Sequence, residues 1–208
     1  MTHPTPIPAS QLPTIGTAFE GGFFGGLIRS NDTLQAILWA PKAHGETTGA
    51  LFPSRGARVL VPEGTTNCHD SQANTVALAS LGSPLAQWAL GLQINGRSGW
   101  CIPARDVLEL GYRHLKPGTW ETAATFRDGD NPGSVPPGYP YTTGNPTQTT
   151  VEAFRLGGPE AFGERTYLAS TLYGDSSAWF QNFRNGGQSV SYLSAERAVR
   201  AVCLIPVL

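Results

Sequence analysis

Charge is scarce in this chain of 208 residues: Asp, Glu, Lys and Arg make up 14%, the net charge is -1, and no basic run occurs. Binding nucleic acid through an electrostatic footprint needs a clustered excess of Lys and Arg, so that class is not expected. Long hydrophobic runs are missing too, and none approaches the ~18 residues of a membrane span. The opening Met1-Thr2-His3-Pro4-Thr5-Pro6-Ile7-Pro8 has neither the charged nor the apolar region of a secretory signal. Cysteine is limited to Cys68, Cys101 and Cys203, an odd number with no paired spacing. That pattern argues against a disulfide framework and for folding in a reducing cytoplasm. What is plentiful is Gly (25) and Pro (17), while aromatics stay at 10%. The chain therefore reads as a loop-rich folded protein and not a disordered one, of a length that suits one domain.

Residues 1–15 carry four prolines and read as an extended arm, either docked on a partner chain or solvated, ahead of a single domain over 16–208. From Gly16 the glycine-spaced run to Arg29, a turn at Asn31-Asp32, and Thr33 to Ala40 predict a hairpin. Its glycines mark close approach of a backbone or an aromatic ring. Asn74 to Leu81 predicts a short helix, and Ser83-Pro84 an N-cap followed by proline at the first helical position. Ala104 to Leu115 predicts a helix with Ala104, Val107, Leu108 and Leu115 on one stripe, stopped by Lys116-Pro117-Gly118. Residues 125–147 hold too many Pro and Gly for a regular element and form a long loop insertion. A third helix is expected over about Thr147 to Leu156. The fold class is α+β, with an N-terminal hairpin, two to three helices and a C-terminal antiparallel sheet.

The closing stretch is the most informative. Asn185-Gly186 is a strong signal for a two-residue turn. It would set Phe183 opposite Gln188, Gln181 opposite Val190 and Trp179 opposite Tyr192. Alternation then gives one heavy, buried face with Trp179, Gln181 and Phe183. The other face carries Phe180, Asn182 and Arg184 against Gly187, Ser189 and Ser191. Tyr, Ser, Asn and Arg bind varied ligands at low ordering cost, so the polar-aromatic face is a candidate recognition surface.

Catalytic chemistry finds little support. His44, His69 and His114 lack the context of a nucleophile elbow. Cys68-His69-Asp70 is a single potential ligand cluster without a second. Asp128-Gly129-Asp130-Asn131-Pro132 reads as a solvated loop. No catalytic residue, metal or cofactor is expected.

Two segments resemble the DUF1566 family. The first is Gly99-Trp100-Cys101-Ile102-Pro103-Ala104-Arg105-Asp106-Val107-Leu108-Glu109-Leu110. The second has Ser170, Thr171, Ala178, Trp179, Gln181, Phe183, Gly186, Gln188, Arg197, Val199 and Arg200 at matching places. The chain departs from the family pattern at Leu168, where a Trp is usual. The resemblance implies a C-type lectin-like fold related to formylglycine-generating-enzyme-like domains, found in tailed bacteriophages and bacterial surface proteins. It implies a ligand-binding face of Phe180, Asn182, Arg184, Ser189 and Ser191, edged by Tyr173 and Tyr192. The expected function is then a non-enzymatic phage tail or baseplate tip protein that binds a host receptor, glycan or pilus. It would fold in the host cytoplasm, act on the virion as a homotrimer and attach to other tail proteins through residues 1–15. The alternative is a structural virion subunit that contacts only viral proteins.

Overall fold

Asn31 (φ 48°) and Asp32 (φ 61°) both adopt the left-handed conformation, and they close a two-residue turn between β2 (Gly22–Ser30) and β3 (Thr33–Trp39). The expected N-terminal hairpin is therefore present, with Ser30 opposite Thr33. The computed structural model describes residues 5–62, 64–123, 125 and 128–208. The first four arm residues and Phe126 and Arg127 of the long loop lie outside them. A second tight turn at Glu20-Gly21 folds β1 (Ala18–Phe19) onto β2. On the far side of β3 runs β10 (Val202–Pro206), and β5 (Ser134–Val135) from the long loop pairs with β2.

A second sheet has the order β4 (Glu46–Gly49), β9 (Arg197–Arg200), β6 (Thr166–Leu172), β7 (Ser177–Asn182), β8 (Gln188–Tyr192). Its pairs are antiparallel except β6–β9. The chain passes from the second sheet to the first at Ala201, between β9 and β10. With α1 (Lys42–Gly45), α2 (Ser71–Ser80), α3 (Pro84–Gly91) and α4 (Arg105–Leu115), the architecture is mixed α+β and mostly β. Among the described residues no helix is long and apolar enough to cross a membrane.

The helix signals in the sequence are physical caps in the structure. The Asp70 carboxylate accepts from Ala73 N at the start of α2, and Ser83 Oγ accepts from Ala86 N at the start of α3 with Pro84 at the first helical position. α4 packs against β2 of one sheet and β6 and β7 of the other. It buries its expected stripe and also Arg105, Asp106 and Glu109. Helices α2 and α3 cover the opposite side of the second sheet, where Leu78, Leu85, Ala86 and Ala89 meet Leu168, Leu172, Ala178 and Val199.

Trp39 explains Gly25 of β2. Its indole is fully buried, and a Cβ at Gly25 would lie 2.3 Å from Trp39 Nε1. From the other side, Gly111 of α4 leaves the same room, since a Cβ there would lie 2.5 Å from Trp39 Cζ2. At Gly25 the close approach read from the glycine spacing is the approach of this ring.

Three expectations are corrected. The third helix is only a turn of 3-10 helix, Glu152–Phe154. The backbone there bonds elsewhere: Thr149 N donates to Lys116 O and Leu156 N to Pro117 O, so the segment is tied to the end of α4 instead of coiling on itself. The arm does not stay clear of the core. Ile7 is buried beside Leu38, Trp100 and Ile205, and its N–H donates to Pro206 O while its carbonyl accepts from Leu208 N.

The third correction is the closing hairpin, which pairs Ser177 with Tyr192, Trp179 with Val190 and Gln181 with Gln188. The loop is four residues, Phe183 to Gly186, and only Gly186 (φ 77°) is left-handed. The cause is Phe183. Its ring leaves the ladder and stacks on Phe162 at 4.2 Å, with Tyr167 at 4.7 Å and Tyr112 at 5.7 Å. Burying an aromatic ring fully is worth more than the preference for a two-residue turn. The slip is two residues, an even number, so every side chain that stays in the ladder keeps the face that alternation assigned to it.

Candidate functional site

The amides of Ala104, Arg105 and Asp106 open α4, and no side chain of the helix's own N-cap residue satisfies them. Neighbouring elements do: Ala104 N donates to Ser71 Oγ, Arg105 N to Thr171 Oγ1 and Asp106 N to Cys68 O. These bonds dock the helix start between the 67–71 segment and β6. They also fix where the Arg105 side chain goes. Its Nη1 donates to Asp106 Oδ1 (2.7 Å) and its Nη2 to Gln188 Oε1 (2.9 Å) on β8. Its Cζ lies 5.0 Å from the centre of the Trp179 ring.

From Gln188 a chain of polar contacts runs inward. Gln188 Nε2 donates to Gln181 Oε1, Gln181 Nε2 donates to Tyr141 Oη, and Tyr141 Oη donates to Glu109 Oε1 (2.7 Å). Asn131 Nδ2 donates to Glu109 Oε2 (2.7 Å), and Arg113 forms an ion pair with the same carboxylate at 2.9 Å. Burial pushes the Glu109 carboxyl up, against the pull of Arg113, Asn131 and Tyr141. The Tyr141 phenol is pushed up by burial and then by Glu109. Asp128 Oδ1 accepts from Gln188 N, so the stretch 128–131 is a buried anchor of the long loop, not the solvated loop expected from composition. One continuous network thus joins α4, the long loop and the β7–β8 ribbon.

At its surface end the network supports an aromatic group. Tyr173 packs edge-on against Trp179, with ring centres 5.7 Å apart. Tyr173 is 60% exposed and Tyr192 73% exposed, while Trp179 is half-buried with one side on the core. By the strand pairing, Tyr192, Val190 and Gln188 share the side of the ribbon with Trp179.

The residues expected at the binding face therefore divide. Tyr173 and Tyr192 stand with Trp179 on one side. Phe180, Asn182, Ser189 and Ser191 lie on the other, with Phe180 half-buried under the Arg197 guanidinium at 5.6 Å. Asn182 Oδ1 is engaged in the turn, accepting from Arg184 N, and Arg184 is exposed in the loop. Sequence reasoning did not place Arg105 and Gln188 at the surface group. The signal was the Gln181/Gln188 pair in facing strands together with an Arg at a helix start.

Beside this group, His69 Nδ1 lies 3.2 Å from Asp106 Oδ2, and the ring is one-third exposed. Burial, then the Arg105 charge, lowers the His69 pKa, and burial lowers that of His114, whose Nδ1 lies 2.8 Å from Gly25 O. A histidine whose folded pKa is depressed contributes stability above its ordinary value of 6.5, and that stability is lost as pH falls toward the folded value. The melting temperature is accordingly expected to fall between about pH 7 and pH 5, the range in which an ordinary histidine gains its proton. The fall should be shallower in a His69→Gln/His114→Gln variant, as scanning calorimetry over pH will show.

Burial also pushes the Cys101 and Cys203 thiols up, which leaves them poor nucleophiles. Among the described residues no group of three or more His, Cys, Asp or Glu is placed to hold a metal ion. Compared with known proteins, the chain matches no family model, no curated protein and no solved structure.

Proposed function

We propose that this chain is a recognition module with a C-type lectin-like fold, carried on a bacteriophage tail or baseplate tip, that binds a host-surface molecule through the Tyr173–Trp179–Tyr192 side of its closing ribbon. The carrying observation is Trp179 in contact with both the Arg105 guanidinium and the Tyr173 ring, with Tyr173 and Tyr192 left exposed. Large amphipathic rings with few rotatable bonds lose little entropy on binding, and the buried network beneath them holds the platform in place before a ligand arrives. The resemblance of the α4 start and the closing strands to DUF1566 proteins supports the viral setting. In that setting the chain acts as a trimer joined to tail proteins through its arm.

A Tyr173→Ala/Tyr192→Ala variant, incorporated into particles, is expected to lower adsorption to host cells at least about tenfold, equivalent to roughly 1.4 kcal/mol. Its melting temperature should stay near that of the parent, because both rings are largely in solvent. A parallel Phe180→Ala/Ser189→Glu variant tests the opposite side. If only that second variant loses adsorption, the binding face is the other one. If neither does, the chain is a structural subunit of the particle.

A further inference from the structure

On a different part of the surface, an open cleft of about 470 Å³ lies between the segment after α4 and the 143–148 turn. Its size falls within the roughly 300–1,000 Å³ of small-molecule sites. Trp120 lines it, half-buried, and packs against Gly118 so closely that a Cβ there would lie 2.0 Å from the indole Cζ3. Around the indole stand Thr119, Glu121, Thr143, Thr147 and Gln148. The Gln148 amide nitrogen is committed to Pro117 O at 2.8 Å, which fixes the side chain.

Lys116 holds this shape. It is 2% exposed, and its ammonium donates to Trp120 O, to Thr122 Oγ1 (2.8 Å) and to Pro146 O (3.0 Å). Thr122 N donates to Thr143 O (3.0 Å), so the two walls are bonded to each other. Among the described residues the one cation of the lining is thus consumed internally, and the remaining charged group at the rim is the Glu121 carboxylate.

We propose that this cleft binds a neutral saccharide, with a pyranose ring stacked on Trp120 and its hydroxyls bonded by the threonines and Glu121. A sugar ring offers an apolar C–H face to an indole and hydroxyls around its edge, the pattern this lining matches. A nucleotide or an anionic sugar would meet Glu121, with no free cation among the described lining residues to offset its charge. The proposal does not rest on the Tyr173–Trp179–Tyr192 reading, and the two sites can be silenced separately.

The test is saturation-transfer NMR on the full chain. The probes are neutral glucose, galactose and N-acetylglucosamine oligosaccharides, with sialylated oligosaccharides as anionic controls. Saturable transfer from at least one neutral probe is expected. It should persist in a Tyr173→Ala/Tyr192→Ala chain, which removes the first site, and in that background be weakened at least about tenfold by Trp120→Ala and by Thr143→Arg, which blocks the cleft from an exposed position. Thr143→Arg keeps the test decisive if Trp120→Ala does not fold. No transfer from any neutral probe, transfer that survives Thr143→Arg, or a preference for the sialylated probes would overturn the proposal.

Discussion

Glu109→Ala is expected to destabilise the fold by about 3–5 kcal/mol, the range for removing one member of a buried ionic cluster. Glu109 is fully buried on α4 and receives Tyr141 Oη, Asn131 Nδ2 and the Arg113 charge. Tyr141 and Asn131 are buried and have no water to turn to, while Arg113 is partly exposed. Arg113 keeps the carbonyls of Gly129 and Tyr139, but its charge loses its carboxylate. Tyr141 keeps only the Gln181 amide, and through it the disturbance reaches the β7–β8 ribbon. The loss should therefore be uneven. In hydrogen exchange, amides of 128–141 and 181–188 should open well before those of β2 and β3. Glu109→Gln retains an acceptor for Tyr141 but not the negative charge, and an intermediate loss is expected. Equal protection loss in all strands would show that the network is not a local anchor.

How much of this could be read in the sequence follows from how local each cause is. Ser83-Pro84, Asn31-Asp32 and the apolar stripe of α4 act within a few residues of themselves, and the structure realises all three. The glycines of β2 were readable as close approach, though the rings concerned, Trp39 at Gly25 and His114 at Gly26, come from the next strand and from α4. Asn185-Gly186 misled about register because the deciding force is not local. Phe162, Tyr167 and Tyr112 draw Phe183 inward, and nothing near Asn185 in the sequence announces them. The third helix failed for a similar reason, since its backbone partners are Lys116 and Pro117. The faces of β7 remained correct because alternation survives an even slip. The side of Tyr192 was readable too, since the expected register already set it opposite Trp179 and the even slip keeps it there, whereas the side of Tyr173 follows only from its ring contact with Trp179.

Arg105 is where stability and recognition meet, and its replacement by alanine should be felt in both. The residue is 9% exposed and holds the Asp106 carboxylate, the Gln188 amide and the Trp179 ring at once. Losing the guanidinium beside a buried carboxylate is expected to cost about 3 kcal/mol. Trp179 loses a cation contact of roughly 0.5–2 kcal/mol and the Gln188 tether that steadies its strand, so adsorption should fall even at temperatures where the fold is intact. A third readout separates charge from shape. Arg105 opposes protonation of His69, so Arg105→Ala should raise the His69 pKa, followed by NMR titration of its ring proton. Arg105→Lys restores a positive charge but not the fork that spans Asp106 and Gln188. With lysine, His69 should titrate near its parent value while adsorption stays low. If lysine restores adsorption, charge alone suffices at this position; if alanine leaves melting, titration and adsorption unchanged, Arg105 is not the link between the α4 start and the ribbon.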